Sequence, residues 1–140
     1  MQEKTLRRIL LFWCLFIGLG ALGGGLCMLI DPSGASTGMD GLLPGLQKLP
    51  FADTLFSTLV FPGIALLCVN GAPQLIAAWL LLRRRPAGVT LGSVCGLLLM
   101  AWICIQFVIF PLNVLSTAYF IFGLLEALCA WLLRKKACAA

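Results

Sequence analysis

The chain has 140 residues, 61% of them hydrophobic and 11% charged, with seven cysteines, no histidine and a formal net charge of +5. Soluble globular chains carry about 25% charged residues, so this composition cannot cover a water-facing surface. The lack of histidine removes histidine-based triads and most catalytic zinc sites, and basic residues in short clusters rather than a stripe form no nucleic-acid footprint.

Ile9 to Ile30, Thr54 to Leu82 and Pro86 to Leu125 run for 22, 29 and 40 residues without a charge. About 20 apolar residues cross the hydrocarbon core of a bilayer as a helix. The third run is too long for one crossing, and Phe110-Pro111-Leu112-Asn113 supplies a turn near its middle. The pattern predicts an all-α polytopic membrane protein: one transmembrane domain over residues 1–140, with helices at about 9–30, 54–82, 87–109 and 113–133. An external loop covers residues 31–53, and the second helix is broken or kinked.

Lys4, Arg7 and Arg8 precede the first helix. Arg83, Arg84 and Arg85 join the second and third, and Arg134, Lys135 and Lys136 follow the fourth. Only Lys48 falls on the other side. The positive-inside rule places both termini and the Arg83–Arg85 loop in the cytoplasm of a bacterial inner (plasma) membrane, and the net charge attracts anionic headgroups. Trp13, Trp79 and Trp131 fall near that boundary as interfacial anchors. At 22 residues the first apolar run exceeds the h-region of about 7–15 residues of a signal peptide, so it is expected to stay as a span.

Within the first helix, Gly18-Leu19-Gly20-Ala21-Leu22-Gly23 matches the dinucleotide-binding pattern G-x-G-x-x-G. That loop needs a strand before it, a helix opening at the glycines and an acidic residue about 20 positions later. Here the glycines begin about 15 Å beyond Arg8, near the bilayer midplane, where a pyrophosphate has no place. Small residues in a membrane instead let helices approach closely. Gly20 and Gly24 form one such pair, with Ala21 and Gly25 beside it, and Gly88, Gly92 and Gly96 repeat the spacing on the third helix. The spacing leaves open whether those contacts lie inside the bundle or between subunits.

The external loop starts with turn chemistry at Asp31-Pro32-Ser33-Gly34. Its apolar stretch from Gly41 to Pro50 is expected to lie on the membrane surface or cap the bundle, and Asp53 is the expected N-cap of the second helix. Three aspartates and one lysine there form no catalytic or metal-binding grouping.

Pro73 in the second helix cannot donate to the carbonyl of Val69, and Asn70-Gly71 before it favours a turn. Gln74 lies four residues after Asn70, on the same helical face. In the fourth helix, Ser116, Tyr119, Gly123, Glu126 and Ala130 share a small, polar face. Glu126 is the only acidic residue inside a predicted span, and a charge at that depth is a functional candidate by default. Asn70, Gln74, Glu126 and Tyr119 are therefore the candidate ligand-binding residues. The competing reading is that Asn70 and Gln74 simply hydrogen-bond a protonated Glu126 and lock two helices together. The cysteines lack C-x-x-C spacing and read as small apolar filler.

Asp31-Pro32-Ser33-Gly34, Leu49-Pro50-Phe51, Asn70-Gly71, the Arg83–Pro86 loop and Trp102-Ile103-x-x-Gln106 together resemble a group of small, uncharacterised four-span bacterial membrane proteins. The resemblance implies the four-span fold and brings no activity with it. Small multidrug exporters differ in placing their essential glutamate in the first helix, and the vitamin K epoxide reductase type requires C-x-x-C. The expectation is a non-enzymatic, membrane-embedded binding or transport component without metal or cofactor. Its partners are the lipid bilayer and a second copy or a larger membrane complex, with no nucleic acid. The alternative is a structural or accessory subunit that docks other membrane helices through its glycine ridges.

Overall fold

The computed structural model describes residues 2–38, 40–110 and 112–139. Met39 in the loop expected to be external and Pro111 in the expected turn lie outside the described residues. Four long helices make up the fold: α1 (Glu3–Ile30), α2 (Val60–Leu82), α3 (Pro86–Ile109) and α4 (Val114–Ala139). Each is long and apolar enough to cross a membrane, and no strand occurs among the described residues. In hydrocarbon every backbone N–H and C=O must find its partner within the chain, and a helix does this within one segment.

Side chains follow the same logic. Phe12, Leu19, Leu97, Ile105 and Val108 are exposed on the bundle surface, whereas Asn70, Gln74, Ser116 and Glu126 are buried. Apolar groups outside and polar groups inside suit a lipid surround. The exposed Trp79 and Trp131 sit near helix ends with a basic group over each ring: the Arg83 guanidinium at 5.4 Å and the Lys135 ammonium at 5.2 Å.

Glycines set the closest approaches. A Cβ on Gly96 would stand 2.8 Å from the backbone nitrogen of Ala127 and 2.9 Å from the carbonyl oxygen of Gly123, so α3 and α4 touch backbone to backbone. One on Gly88 would stand 2.8 Å from the nitrogen of Leu81, at the tight α2–α3 connection. The nearest neighbours of a Cβ on Gly92 are atoms of the Leu10 side chain, at 3.3 Å and beyond. The Gly88/Gly92/Gly96 ridge is thus occupied from within the chain, by three different helices. On α1 the closest approach to α2 is made by Gly18 and Gly25, the latter opposite Gly63.

The helix ends depart from expectation. α1 starts at Glu3 rather than near residue 9, with Glu3 and Arg7 paired across one turn at 3.5 Å. α4 continues to Ala139 rather than ending near 133, and basic residues in its last turns complement the helix dipole. The second helix starts at Val60 rather than Thr54. Asp53, its expected N-cap, lies inside a separate helical turn, Ala52–Leu55, and Leu59 takes the N-cap position. The left-handed backbone at Phe51 (φ 61°) starts that separate turn, and the Leu59 N–H donates to the carbonyl of Pro32 at 2.8 Å, tying the two ends of the loop together. The loop caps the bundle: Leu46 and Leu59 bury themselves against Met28, flanked by Leu43, Leu49, Phe56 and Phe110.

The expected break in α2 is a widened turn within a continuous helix. Leu67–Gly71 is a π-helical turn, in which the Ala72 N–H reaches back to the carbonyl of Leu67. Below it, Ala72–Leu82 packs against both α1 and α3; above it, Val60–Leu66 packs chiefly against α1.

Gly96→Ala should destabilise the bundle by about 1–3 kcal/mol, because backbone cannot yield as a side chain can. Gly92→Ala should be close to neutral, since Leu10 can shift and alanine gains helix propensity. Leu98→Ile, on the exposed surface, should change little. Unfolding of the purified protein in mixed micelles measures all three, and equal stability of the Gly96 and Gly92 variants would contradict the packing assignment.

Candidate functional site

Glu126 on α4 is fully buried and accepts two hydrogen bonds. The Gln74 Nε2 donates to Oε2 at 2.8 Å, and the Cys14 thiol donates to Oε1 at 3.3 Å. Three helices meet at this one carboxyl group. Gly18 makes room for it: a Cβ there would sit 3.0 Å from the Cβ of Gln74, so α1 can bring Cys14, one turn away on the same face, up to Glu126. On the side of the chain termini the cluster rests on a packed core that includes Leu10, Ala77, Ala130, Leu133, Cys95 and Cys129. The Cys129 thiol also has a polar partner, the carbonyl of Leu6 at 3.2 Å.

Asn70 has a different environment. It is 2% exposed, and neither its Nδ2 nor its Oδ1 has a hydrogen-bond partner. It lines a cavity of about 670 Å³ in the half of the bundle nearer the loop between α1 and α2, where α2 leans toward α1. Tyr119, Trp102, Gln106 and Ser116 line the same space, together with apolar side chains including Ile17, Leu66, Leu99 and Ile103. Gly38 of the loop, Phe110 at the end of α3 and Asn113 before α4 also line it. Among the described residues, no lysine, arginine, aspartate or glutamate lines it.

The four candidate site residues therefore fall into two places. Gln74 and Glu126 are hydrogen-bonded to each other; Asn70 and Tyr119 lie on the cavity wall, which neither Gln74 nor Glu126 joins. Gly20 and Gly24, expected in helix packing, also line the cavity. A Cβ on Gly20 would stand 3.1 Å from the Tyr119 hydroxyl, and one on Gly24 would stand 3.4 Å from Leu66. Gln106 is half-buried, accepts from the Ser116 hydroxyl at 3.2 Å and so joins α3 to α4 across the cavity. Cys14 was invisible in the sequence as a polar partner, because a thiol donates weakly and otherwise packs as a small apolar group.

An unpaired buried polar atom costs about 1–3 kcal/mol. Asn70 holds two, and the Oε1 of Gln74 is a third. The two polar sites differ in kind: a carboxyl group supplied with donors, and an amide left without any.

The loop near the cavity mouth is organised by Asp31. Its carboxylate accepts from the Ser33 hydroxyl at 2.6 Å, the Ser36 hydroxyl at 2.5 Å and the Ser36 N–H at 2.9 Å. The bonds from Ser33 and then Ser36 hold the carboxyl well below the usual carboxylate range. Such a group stabilises the folded loop above the ordinary aspartate value of about 3.9, and the effect is lost as the pH falls through the lower folded value.

The chain matches no protein-family model, no curated protein and no solved structure.

A double-mutant cycle of Gln74→Leu and Glu126→Leu should give a coupling of about 0.6–2 kcal/mol, the range for interhelical hydrogen bonds in membranes. Additive effects would mean the two side chains do not pair. For the loop, the Asp31 carboxyl carbon should titrate by NMR with a midpoint below about 3.9. Ser33→Ala with Ser36→Ala should raise that midpoint toward the ordinary value.

Proposed function

We propose that the protein is a membrane-embedded binding or transport component whose site is the uncharged cavity beside the π turn, and that its termini face the cytoplasm. The observation that carries this reading is Asn70: a buried amide with no partner of its own, on the wall of a cavity large enough for a small molecule. Ligand sites of about 300–1,000 Å³ with mostly apolar walls and a few convergent polar groups are the common form, and π turns inside α-helices recur at functional sites. Glu126, with its two donors, is read as the clamp that holds α1, α2 and α4 in place below the site.

The orientation rests on charge. All basic residues except Lys48 lie at the end of the bundle that carries the termini and the Arg83–Arg85 connection, and such asymmetry sets topology. The reading as an accessory subunit docking through glycine ridges has less support, because the Gly88/Gly92/Gly96 ridge is filled by Leu80, Leu81, Leu10, Gly123 and Ala127 of the same chain.

Two cysteine experiments test the proposal, each in a chain from which Cys27, Cys68, Cys104 and Cys138 have been removed and the buried Cys14, Cys95 and Cys129 kept. Ser116→Cys places a thiol on the cavity wall. It should react with N-ethylmaleimide, and Gly24→Phe, which fills the cavity, should suppress that reaction. A Ser116→Cys thiol that fails to react without the plug would refute an accessible site. Ser36→Cys, on the exposed loop, should react with an impermeant thiol reagent only from outside the cell, and labelling only from the cytoplasmic side would invert the topology.

A further inference from the structure

We infer that the cavity takes an uncharged amphiphile: an apolar hydrocarbon body with a compact head group that presents a hydrogen-bond acceptor and a donor side by side, as a carboxamide does, paired with Asn70. The inference rests on the reading of this cavity as a binding site and adds the chemistry of the occupant.

Three observations define that chemistry. First, among the described residues no lysine, arginine, aspartate or glutamate lines the cavity. A charged head would be left without a counter-ion at membrane depth, where an uncompensated charge is costly. Second, Asn70 leaves both Nδ2 and Oδ1 unpaired; at 2% exposure both are closed off from a water-sized group, so they meet a head group when the side chain turns toward the cavity it lines. A primary amide side chain offers two N–H donors on nitrogen and an acceptor on oxygen. A head with only an acceptor satisfies one side of it and leaves the other unpaired, whereas an adjoining acceptor and donor satisfy both at once. Third, Ile17, Leu66, Leu99 and Ile103 give the same cavity apolar walls, which suit a hydrocarbon chain and exclude a ligand polar throughout.

The π turn sets the depth. Asn70 is ten residues into α2 from Val60, or about 15 Å along a helix, so the head group is bound deep in the bundle and the chain extends toward the external loop.

Trp102 lines the cavity and provides the readout. With Trp13, Trp79 and Trp131 replaced by phenylalanine, the protein in lipid nanodiscs is titrated with two terminally brominated probes of equal chain length, 12-bromododecanamide and methyl 12-bromododecanoate. Bromine quenches tryptophan fluorescence on contact. The amide should quench Trp102 saturably at about one-tenth the mole fraction the ester needs, the ratio expected for one additional hydrogen bond. Asn70→Leu should abolish the difference while raising the thermal midpoint of the empty protein, since it removes the unpaired amide. Saturable quenching with equal potency for the two probes in the wild type overturns the head-group assignment and leaves the cavity as an apolar binding site. Absence of saturable quenching by both probes also overturns it, and the Ser116→Cys reactivity then decides separately whether the binding reading survives.

Discussion

Pro73 has no N–H for the carbonyl of Val69, four residues earlier on α2. In water such a gap would be filled by solvent; in hydrocarbon the backbone itself must adjust. Just before the proline lies the π turn Leu67–Gly71, in which the Ala72 N–H bonds to Leu67. One widened turn divides the helix into a half that packs against both α1 and α3 and a half that packs chiefly against α1. The space left between the helix ends on the loop side is the cavity, and Asn70, carried by the π turn, is on its wall. The candidate site thus lies where the regular backbone ladder of α2 is interrupted, beside a single proline.

Glu126 and Asn70 are buried polar groups of opposite kinds, although Gln74 beside Glu126 keeps an unpaired Oε1 and Ser116 is bonded to Gln106 near Asn70. In the half nearer the termini, Glu126 is enclosed by core packing and supplied with donors by Gln74 and Cys14. Removing one partner there leaves a buried group unpaired, so the cluster resists change and holds three helices in register. In the other half, Asn70 is enclosed without partners. Replacing it with an apolar residue of similar size is expected to stabilise the empty protein. An arrangement that lowers stability and can be relieved by a simple substitution points to use, as strained and unsatisfied groups do at functional sites.

The spans were legible because charge-free runs are long and bounded by charged residues, and because Phe110-Pro111-Leu112-Asn113 divides the one run that is too long for a single crossing. Their exact ends were less so. Asp53 before Thr54 reads locally as an N-cap, yet α2 starts seven residues later, where the Leu59 N–H meets the Pro32 carbonyl. That contact joins residues 27 positions apart in sequence, which no local signal encodes. The inward face of α4 was legible from its 3- and 4-residue spacing, and Ser116, Gly123, Glu126 and Ala130 are all buried. The joint placement of Asn70 with Gln74 and Glu126 was not. Both are buried on the inner side of α2, but Asn70 stands one turn nearer the loop end than Gln74, and a shared face does not say which groups of the other helices each residue meets. The proline that signalled an interruption gave no indication of its form.

The glycines of α1 show how one short motif serves two surfaces. Gly18, Ala21 and Gly25 lie within one narrow sector of the helix, while Gly20 and Gly24 lie roughly a third of the circumference away. The first sector meets α2: Gly18 meets Gln74 and Leu75, and Gly25 meets Gly63 and Leu67. The second lines the cavity, where a side chain at Gly20 would press on the Tyr119 hydroxyl and one at Gly24 would extend into the open volume beside Leu66. Close packing accounts for the first set. In the second, Gly20 lies close to the Tyr119 hydroxyl yet stays exposed, and Gly24 borders the cavity beside Leu66. Glycine in the second sector keeps the volume open, so the run that resembles a nucleotide-binding loop is a packing surface on one side and a cavity wall on the other.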